Sequence, residues 1–133
     1  FIIGLKTYKA TKIKPEIDNL RIVLTHKPEK YRNLQVKGQL EFVSMSATEV
    51  IEEYGSRFHS ALVLGGSHVY QQFIDADLID EIFLTIEPVN FSSGTPLLSS
   101  GKKLSETIKL PKPTITKLNN SGTILKHYDL RKA

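Results

Sequence analysis

The stretch that most constrains this chain runs from Ala61 to Phe73: apolar Ala61-Leu62-Val63-Leu64, then Gly65-Gly66, then Ser67-His68-Val69-Tyr70-Gln71-Gln72-Phe73. An apolar run without polar alternation reads as a strand buried on both faces, the kind found in a parallel sheet. Gly65 and Gly66 have no Cβ, so the backbone can adopt unusual angles and another group can come close to it. Ser67 then reads as the cap of a helix whose free N–H groups attract anions. Phosphate is the expected ligand. The competing reading is a tight turn with no ligand, since the pattern is not the G-x-G-x-x-G of a dinucleotide fold.

The totals narrow the choice. At 133 residues the chain is one domain with a sizeable core, and its 40% hydrophobic and 24% charged residues are ordinary for a globular protein. The net charge is +4, with the 18 basic residues scattered along the chain, which suits a small anionic ligand and argues against a nucleic-acid surface. No cysteine is present, which excludes disulfides, thiol nucleophiles and Cys-based zinc sites and fits a reducing compartment, so a cytoplasmic location is expected. His26, His59, His68 and His127 lack ligand-like spacing, and no metal site is expected. The longest apolar run is far short of the ~20 residues that cross a bilayer. The sequence starts at Phe1 rather than methionine, and the expectation is a single domain over 1–133 that is incomplete at its N-terminus.

Taken in order, Phe1-Ile2-Ile3 reads as a buried strand ended by Gly4, and Leu5 to Ala10 as one or two helical turns. Gly4-Leu5-Lys6-Thr7-Tyr8 thus repeats the central arrangement of strand, glycine and helix start, and two such turns can lie side by side on one ligand. Leu20 to Thr25 is a second buried strand, ending in the basic turn Thr25-His26-Lys27-Pro28. Basic and hydroxyl groups at such a strand end suit a 2′-phosphate; a solvated turn closed by Pro28 is the alternative. Leu40 to Ser44 is a short strand before the best-marked helix, with the capping box Ser46-Ala47-Thr48-Glu49, the apolar face Ala47, Val50, Ile51 and Tyr54, and a stop at Gly55.

After the central stretch, Asp80 to Ile86 is the next strand, and the order strand, helix, strand predicts a right-handed crossover with parallel pairing. Asn90 to Ser100 is a polar loop. Thr114 to Leu118 and Thr123 to Leu130 flank Asn119-Asn120-Ser121-Gly122 and read as a hairpin. The expected architecture is α/β, a mostly parallel mixed sheet with a C-terminal antiparallel hairpin.

These residues resemble the dihydrofolate reductase superfamily, including its branch that forms the reductase domain of riboflavin biosynthesis. Gly4-Leu5-Lys6-Thr7-Tyr8 is similar to that family's G-R-K-T-Y turn, and Leu64-Gly65-Gly66-Ser67-His68-Val69-Tyr70 to its I-G-G-G-x-V-Y stretch. Leu24-Thr25-His26 and Leu78-Ile79-Asp80-Glu81-Ile82 match further landmarks. The resemblance implies a dihydrofolate reductase-like three-layer αβα fold and hydride transfer from NADPH. By it, Lys6 and Thr7 meet cofactor phosphates, and Thr25, His26 and Lys27 surround the 2′-phosphate. Gly65, Gly66, Ser67, His68 and Val69 cradle the pyrophosphate, Leu64 and Tyr70 lie near the nicotinamide, and Thr85 helps bind the substrate. A cis Gly-Gly bond is implied as well.

Leu5 stands where the family has arginine, which removes one phosphate contact; Lys6, His26 or Lys27 are its replacements. The family's strand and helix ahead of the first glycine turn have no counterpart here, so no catalytic residue is assigned. Ile86-Glu87-Pro88-Val89 and Ser93-Gly94-Thr95-Pro96-Leu97-Leu98 are similar to the I-x-P-V and G-x-G-x-P-L pattern of the riboflavin branch. The reading is therefore an NADPH-dependent reductase acting on 5-amino-6-(5-phosphoribosylamino)uracil or a similar pyrimidine. A pterin substrate, with dihydrofolate reduced to tetrahydrofolate, is the alternative; a non-catalytic nucleotide-binding module is the third. Relatives of the riboflavin branch imply a homodimer, with the C-terminal hairpin as its place.

Overall fold

The computed structural model describes residues 1–132, with side chains to Arg131. Four short strands, β1 (Ile2–Gly4), β2 (Arg21–Leu24), β3 (Leu40–Val43) and β4 (Val63–Gly65), form a parallel sheet in the order β3-β2-β1-β4. Alternation along the strands sends neighbouring side chains to opposite faces. Ile2, Ile22 and Leu24 meet Ala47, Val50 and Tyr54 of α2 (Ala47–Tyr54) and Val69 and Phe73 of α3 (Ser67–Asp75). On the other face Ile3, Val23, Leu40 and Phe42 meet Leu5 and Tyr8 of α1 (Leu5–Thr11) and Tyr31 of a 3-10 segment, Pro28–Leu34. Tyr31 stacks on Phe42, and Tyr8 meets Phe42 edge-on. The result is three layers, helix on sheet on helix, an α/β fold as expected.

The α2 prediction holds at its start: Ser46 Oγ accepts from Glu49 N at 3.2 Å. At its end Gly55 is right-handed, not a left-handed cap, and the chain continues as a 3-10 turn to Arg57.

The remaining strands form a second sheet. β5 (Glu81–Ile86) pairs antiparallel with β7 (Ile124–Asp129), which pairs antiparallel with β6 (Thr114–Lys117). The predicted hairpin is therefore present, but the predicted parallel pairing of β5 with β4 is not. Leu78 and Ile79, which follow α3, pack into the core beneath the helices, and β5 instead meets β7 in a continuous ladder from Glu81↔Asp129 to Ile86↔Ile124.

β4 corrects a second expectation. The strand begins at Val63 rather than Ala61, Ala61 and Leu62 are exposed, and Val63 and Leu64 are half-buried. The reason is position: among the described residues β4 is the outer strand, paired only with β1. Ile2 N donates to Leu62 O, and alternation along the ladder turns Val63 N–H and C=O away from β1. The opposite edge of the sheet is covered. Val36 and Leu40 exchange backbone hydrogen bonds, Phe42 N donates to Gln35 Oε1 at 3.1 Å, and Gly38 N to Glu41 Oε2 at 2.9 Å.

Candidate cofactor site

Parallel pairing delivers the carboxyl ends of all four strands to one edge, where ligands of open α/β sheets bind. At that edge Gly4 ends β1 and Gly65 ends β4, and the two turns touch. A Cβ on Gly4 would stand 3.0 Å from Val69 Cγ2 and 3.7 Å from both Gly65 O and Gly66 N. A Cβ on Gly66 would stand 3.2 Å from Thr7 Oγ1. The first turn of α1 and the first turn of α3 thus approach across a crevice that side chains would fill. The Gly65–Gly66 peptide is cis, the isomer that the resemblance implies.

Gly65 has φ +106°, a left-handed value that favours glycine, and a Cβ there would meet the Tyr70 ring at 3.2 Å. Tyr70 lies over Gly65, half-buried, and burial raises the pKa of its hydroxyl above the usual 10. Gly66, not Ser67, occupies the N-cap of α3, and no side chain caps that helix. Ser67 is its first helical residue, so the N–H groups of Ser67, His68 and Val69 stand at an uncapped helix start. Val69 is 4% exposed with its side chain in the core, so only its backbone is available to a ligand.

The basic turn lies on the neighbouring strand. Thr25 N extends the β2–β3 ladder by donating to Val43 O at 3.0 Å, and Thr25 Oγ1 accepts from Lys27 N at 3.3 Å. His26 and Lys27 are exposed, as is Lys6 on α1, and none of the three forms an ion pair among the described residues. β2 and β4 flank β1, roughly 10 Å or two strand spacings apart. Hence Lys6, Thr7, Thr25, His26, Lys27 and the Gly65 to Tyr70 segment share one edge. Leu64 packs beneath them, half-buried against the Ile3 and Val23 side of the sheet. Thr85 is not among them: it lies exposed in the second sheet, opposite Leu125.

One support of the site was not expected from sequence. Ser99 N donates to Ser67 O at 3.3 Å, and Ser100 N to Gln71 Oε1 at 3.2 Å, so the loop after β5 is fastened to the start of α3. The only available sign was apolar Leu98 within a Ser- and Gly-rich loop, and Leu98 is fully buried. Among the described residues no group of His, Asp or Glu is arranged to hold a metal ion, and no helix is long and apolar enough to cross a membrane.

A Bacillus subtilis (strain 168) protein known as uncharacterized protein YwjB is 31% identical over 100 residues, which are 72% of this chain and 56% of that protein. The chain thus spans little more than half of that relative. Among solved structures, a Shewanella sp. PV-4 protein provisionally assigned to riboflavin biosynthesis superposes with a TM-score of 0.71 at 18% identity, covering 96% of this chain and 71% of that one. A pyrimidine reductase-like protein from Corynebacterium diphtheriae gives 0.65 at 14% identity, with 96% and 74% covered. Dihydrofolate reductase from Enterococcus faecalis, complexed with NADP(H), gives 0.63 at 18% identity, with 96% and 71% covered. These three show the fold. Residues 6–124 match the model of the RibD C-terminal domain, and the chain belongs to that family.

Proposed function

We propose that this protein is an NADPH-dependent reductase of the riboflavin-pathway type, acting on 5-amino-6-(5-phosphoribosylamino)uracil or a similar ribosylaminopyrimidine. The observation that carries the proposal is the contact between the Gly4 and Gly65-Gly66 turns, with Thr7 Oγ1 beside the space that a Cβ on Gly66 would fill. The residues present fit an anionic dinucleotide. The uncapped start of α3 offers backbone donors to a pyrophosphate, and Thr7 adds a hydroxyl. Lys6, Thr25, His26 and Lys27 supply positive charge and a hydroxyl for a 2′-phosphate, and they do so without the arginine that Leu5 replaces.

Bound NADPH supplies the hydride. The chain's own part is to hold donor and acceptor in register and to exclude water between them. Leu64 and Tyr70 give the nicotinamide end an apolar wall beside Gly65, and Thr85 contributes a hydroxyl to the acceptor's side. The pyrimidine is favoured over dihydrofolate by the Ile86 to Val89 and Ser93 to Leu98 segments and by the family match. A chain without cysteine suits the cytoplasm, and exposed Phe83 on the second sheet suits a homodimer contact.

The test is to titrate the intact protein with NADPH and NADH by nicotinamide fluorescence, then to follow NADPH oxidation with the pyrimidine and with dihydrofolate. Tighter binding of NADPH than of NADH, and turnover of the pyrimidine, are expected. Turnover of dihydrofolate alone would move the protein to the pterin reductases, and absence of nicotinamide binding would leave a module without redox chemistry. Gly66→Ala places a Cβ 3.2 Å from Thr7 Oγ1, in the crevice itself. It should weaken NADPH about tenfold, the equivalent of 1.4 kcal/mol, while the unfolding midpoint moves little.

A further inference from the structure

The connection after β5 is fastened at both ends and free between them. Upstream, Thr123 Oγ1 donates to Glu87 Oε2 at 2.8 Å, and Pro88 packs so closely on Gly122 that a Cβ there would come within 3.2 Å of it. Downstream, Leu98 is fully buried and Ser99 and Ser100 bond to Ser67 and Gln71 of α3. Between these fastenings, all of residues 89–97 are exposed, and no hydrogen bond or ion pair holds any of them among the described residues.

This free segment is not polar throughout. Val89 is 60% exposed, Phe91 79% and Leu97 43%. A single exposed Phe is ordinary. Three apolar residues on one unbonded segment, tied at one end to the hairpin and at the other to α3 of the site, are less so. Phe91 with Ser93, Gly94 and Thr95 also lines a shallow groove open to solvent.

The fastenings show where the segment runs. It leaves β5 just beyond Thr85 and returns at the first turn of α3, directly after Gly65-Gly66. On the reductase reading, which gives Thr85 to the acceptor, it spans from the acceptor's side to the cofactor's side. Phe91 is seven residues from Leu98, a reach of at most ~25 Å, against ~13 Å for the whole length of α3.

We infer that residues 89–97 form a strap over the acceptor and that Phe91 is its specificity-determining contact, laying its ring on the flat heterocycle. The inference rests on the reductase reading. A planar aminopyrimidine presents a π-face, and an offset-stacked aromatic ring recognises that face without needing a hydrogen bond of its own. Ser93 and Thr95 place hydroxyls on either side of Gly94, next to that ring in the sequence, for the polar edge of the same molecule.

The chain has no tryptophan, so Phe91→Trp installs a single indole on the strap. Phe58→Trp is the control: Phe58 is 45% exposed but precedes β4, at the edge of the sheet away from the glycine turns. Each variant is measured by acrylamide quenching, first with NADP+ and then with 5-amino-6-(5-phosphoribosylamino)uracil added. The indole at 91 should become several-fold less accessible when the acceptor is added, and the indole at 58 should not change. In steady state, Phe91→Ala should raise the KM for the acceptor about tenfold, as loss of one base–aromatic stack does, with the NADPH dissociation constant unchanged. If the unaltered protein binds NADPH and turns over the pyrimidine, yet the indole at 91 stays equally accessible and Phe91→Ala keeps its KM, the strap is wrong and the reductase reading stands. If the unaltered protein does not bind NADPH, both fall together.

Discussion

The two sheets of this molecule are held by different means. In the parallel sheet Ile3 and Val23 are fully buried, and helices cover both faces. In the antiparallel sheet every residue of β6 is exposed and β5 is exposed at Glu81, Phe83, Thr85 and Ile86. Polar contacts tie it instead: Glu81 to His127 and Arg131, Asp129 to Arg131, and Thr123 to Glu87 and Asn119. The parallel half therefore has the rigidity needed to hold two glycine turns against one another. On the function proposed above, the antiparallel half carries the parts that meet a variable acceptor.

The largest test of this division is a pair of truncations. Phe73 is 1% exposed between α3 and the parallel sheet, and Phe73→Ala should cost about 3–5 kcal/mol in urea denaturation, as buried Phe truncations do. Phe83 is 58% exposed and stacks on His127 with ring centroids 4.3 Å apart. Phe83→Ala should cost under ~1 kcal/mol, mostly that one contact. Equal costs would mean that the two sheets share one core.

An intermediate effect is expected at Thr123, the buried polar residue of the antiparallel half at 5% exposure. Its Oγ1 donates to Glu87 and accepts from Asn119 Nδ2 at 2.9 Å, while Asn119 Oδ1 accepts from Ser121 N and Thr123 N. Thr123→Val keeps the shape and leaves Asn119 and Glu87 short of a partner, at about 1–3 kcal/mol. Amide hydrogen exchange should speed up in β6 and β7 and stay unchanged in β1 and β2. Uniform acceleration would show that the hairpin does not open on its own.

The parallel half was also the more legible from sequence. Gly4 and Gly65-Gly66 each follow an apolar run, and a glycine there signals close approach whichever strands pair. The Ser46 cap and the Ala47, Val50 and Tyr54 face are local patterns that tertiary structure left in place. Strand partners are another matter. Nothing in Asp80 to Ile86 states whether the strand lies beside β4 or β7, because periodicity describes faces and not neighbours. The apolar Ala61 to Leu64 run misled for the same reason: it reports which side chains can be buried, not that β4 is the outer strand with Leu62 49% exposed. Ser67 was displaced as a cap by Gly66 because the helix begins one residue earlier than a capping Ser67 requires.

The smallest effect probes the one polar contact that most resembles the antiparallel half but lies in the parallel half. Tyr54 is 6% exposed in the α2 layer, and its hydroxyl donates to Glu41 Oε1 at 3.0 Å. Burial, and then this bond to a carboxylate, push its pKa from 10 up to about 12. The folded state thus holds the phenolic proton more tightly than the unfolded chain does. The resulting stabilisation is complete below pH 10 and is lost as pH rises from 10 through 12. Tyr54→Phe removes the bond and should cost about 1 kcal/mol at neutral pH. Having no proton to lose, the variant should also decline less steeply in alkali, so its stability and that of the unaltered protein should converge above pH 10. Tyr70, also raised by burial, is present in both proteins and cancels from the difference. Parallel curves over this range would show that the Tyr54 hydroxyl is not held neutral by the fold, and that the parallel half owes nothing to polar contacts of the kind that close the hairpin.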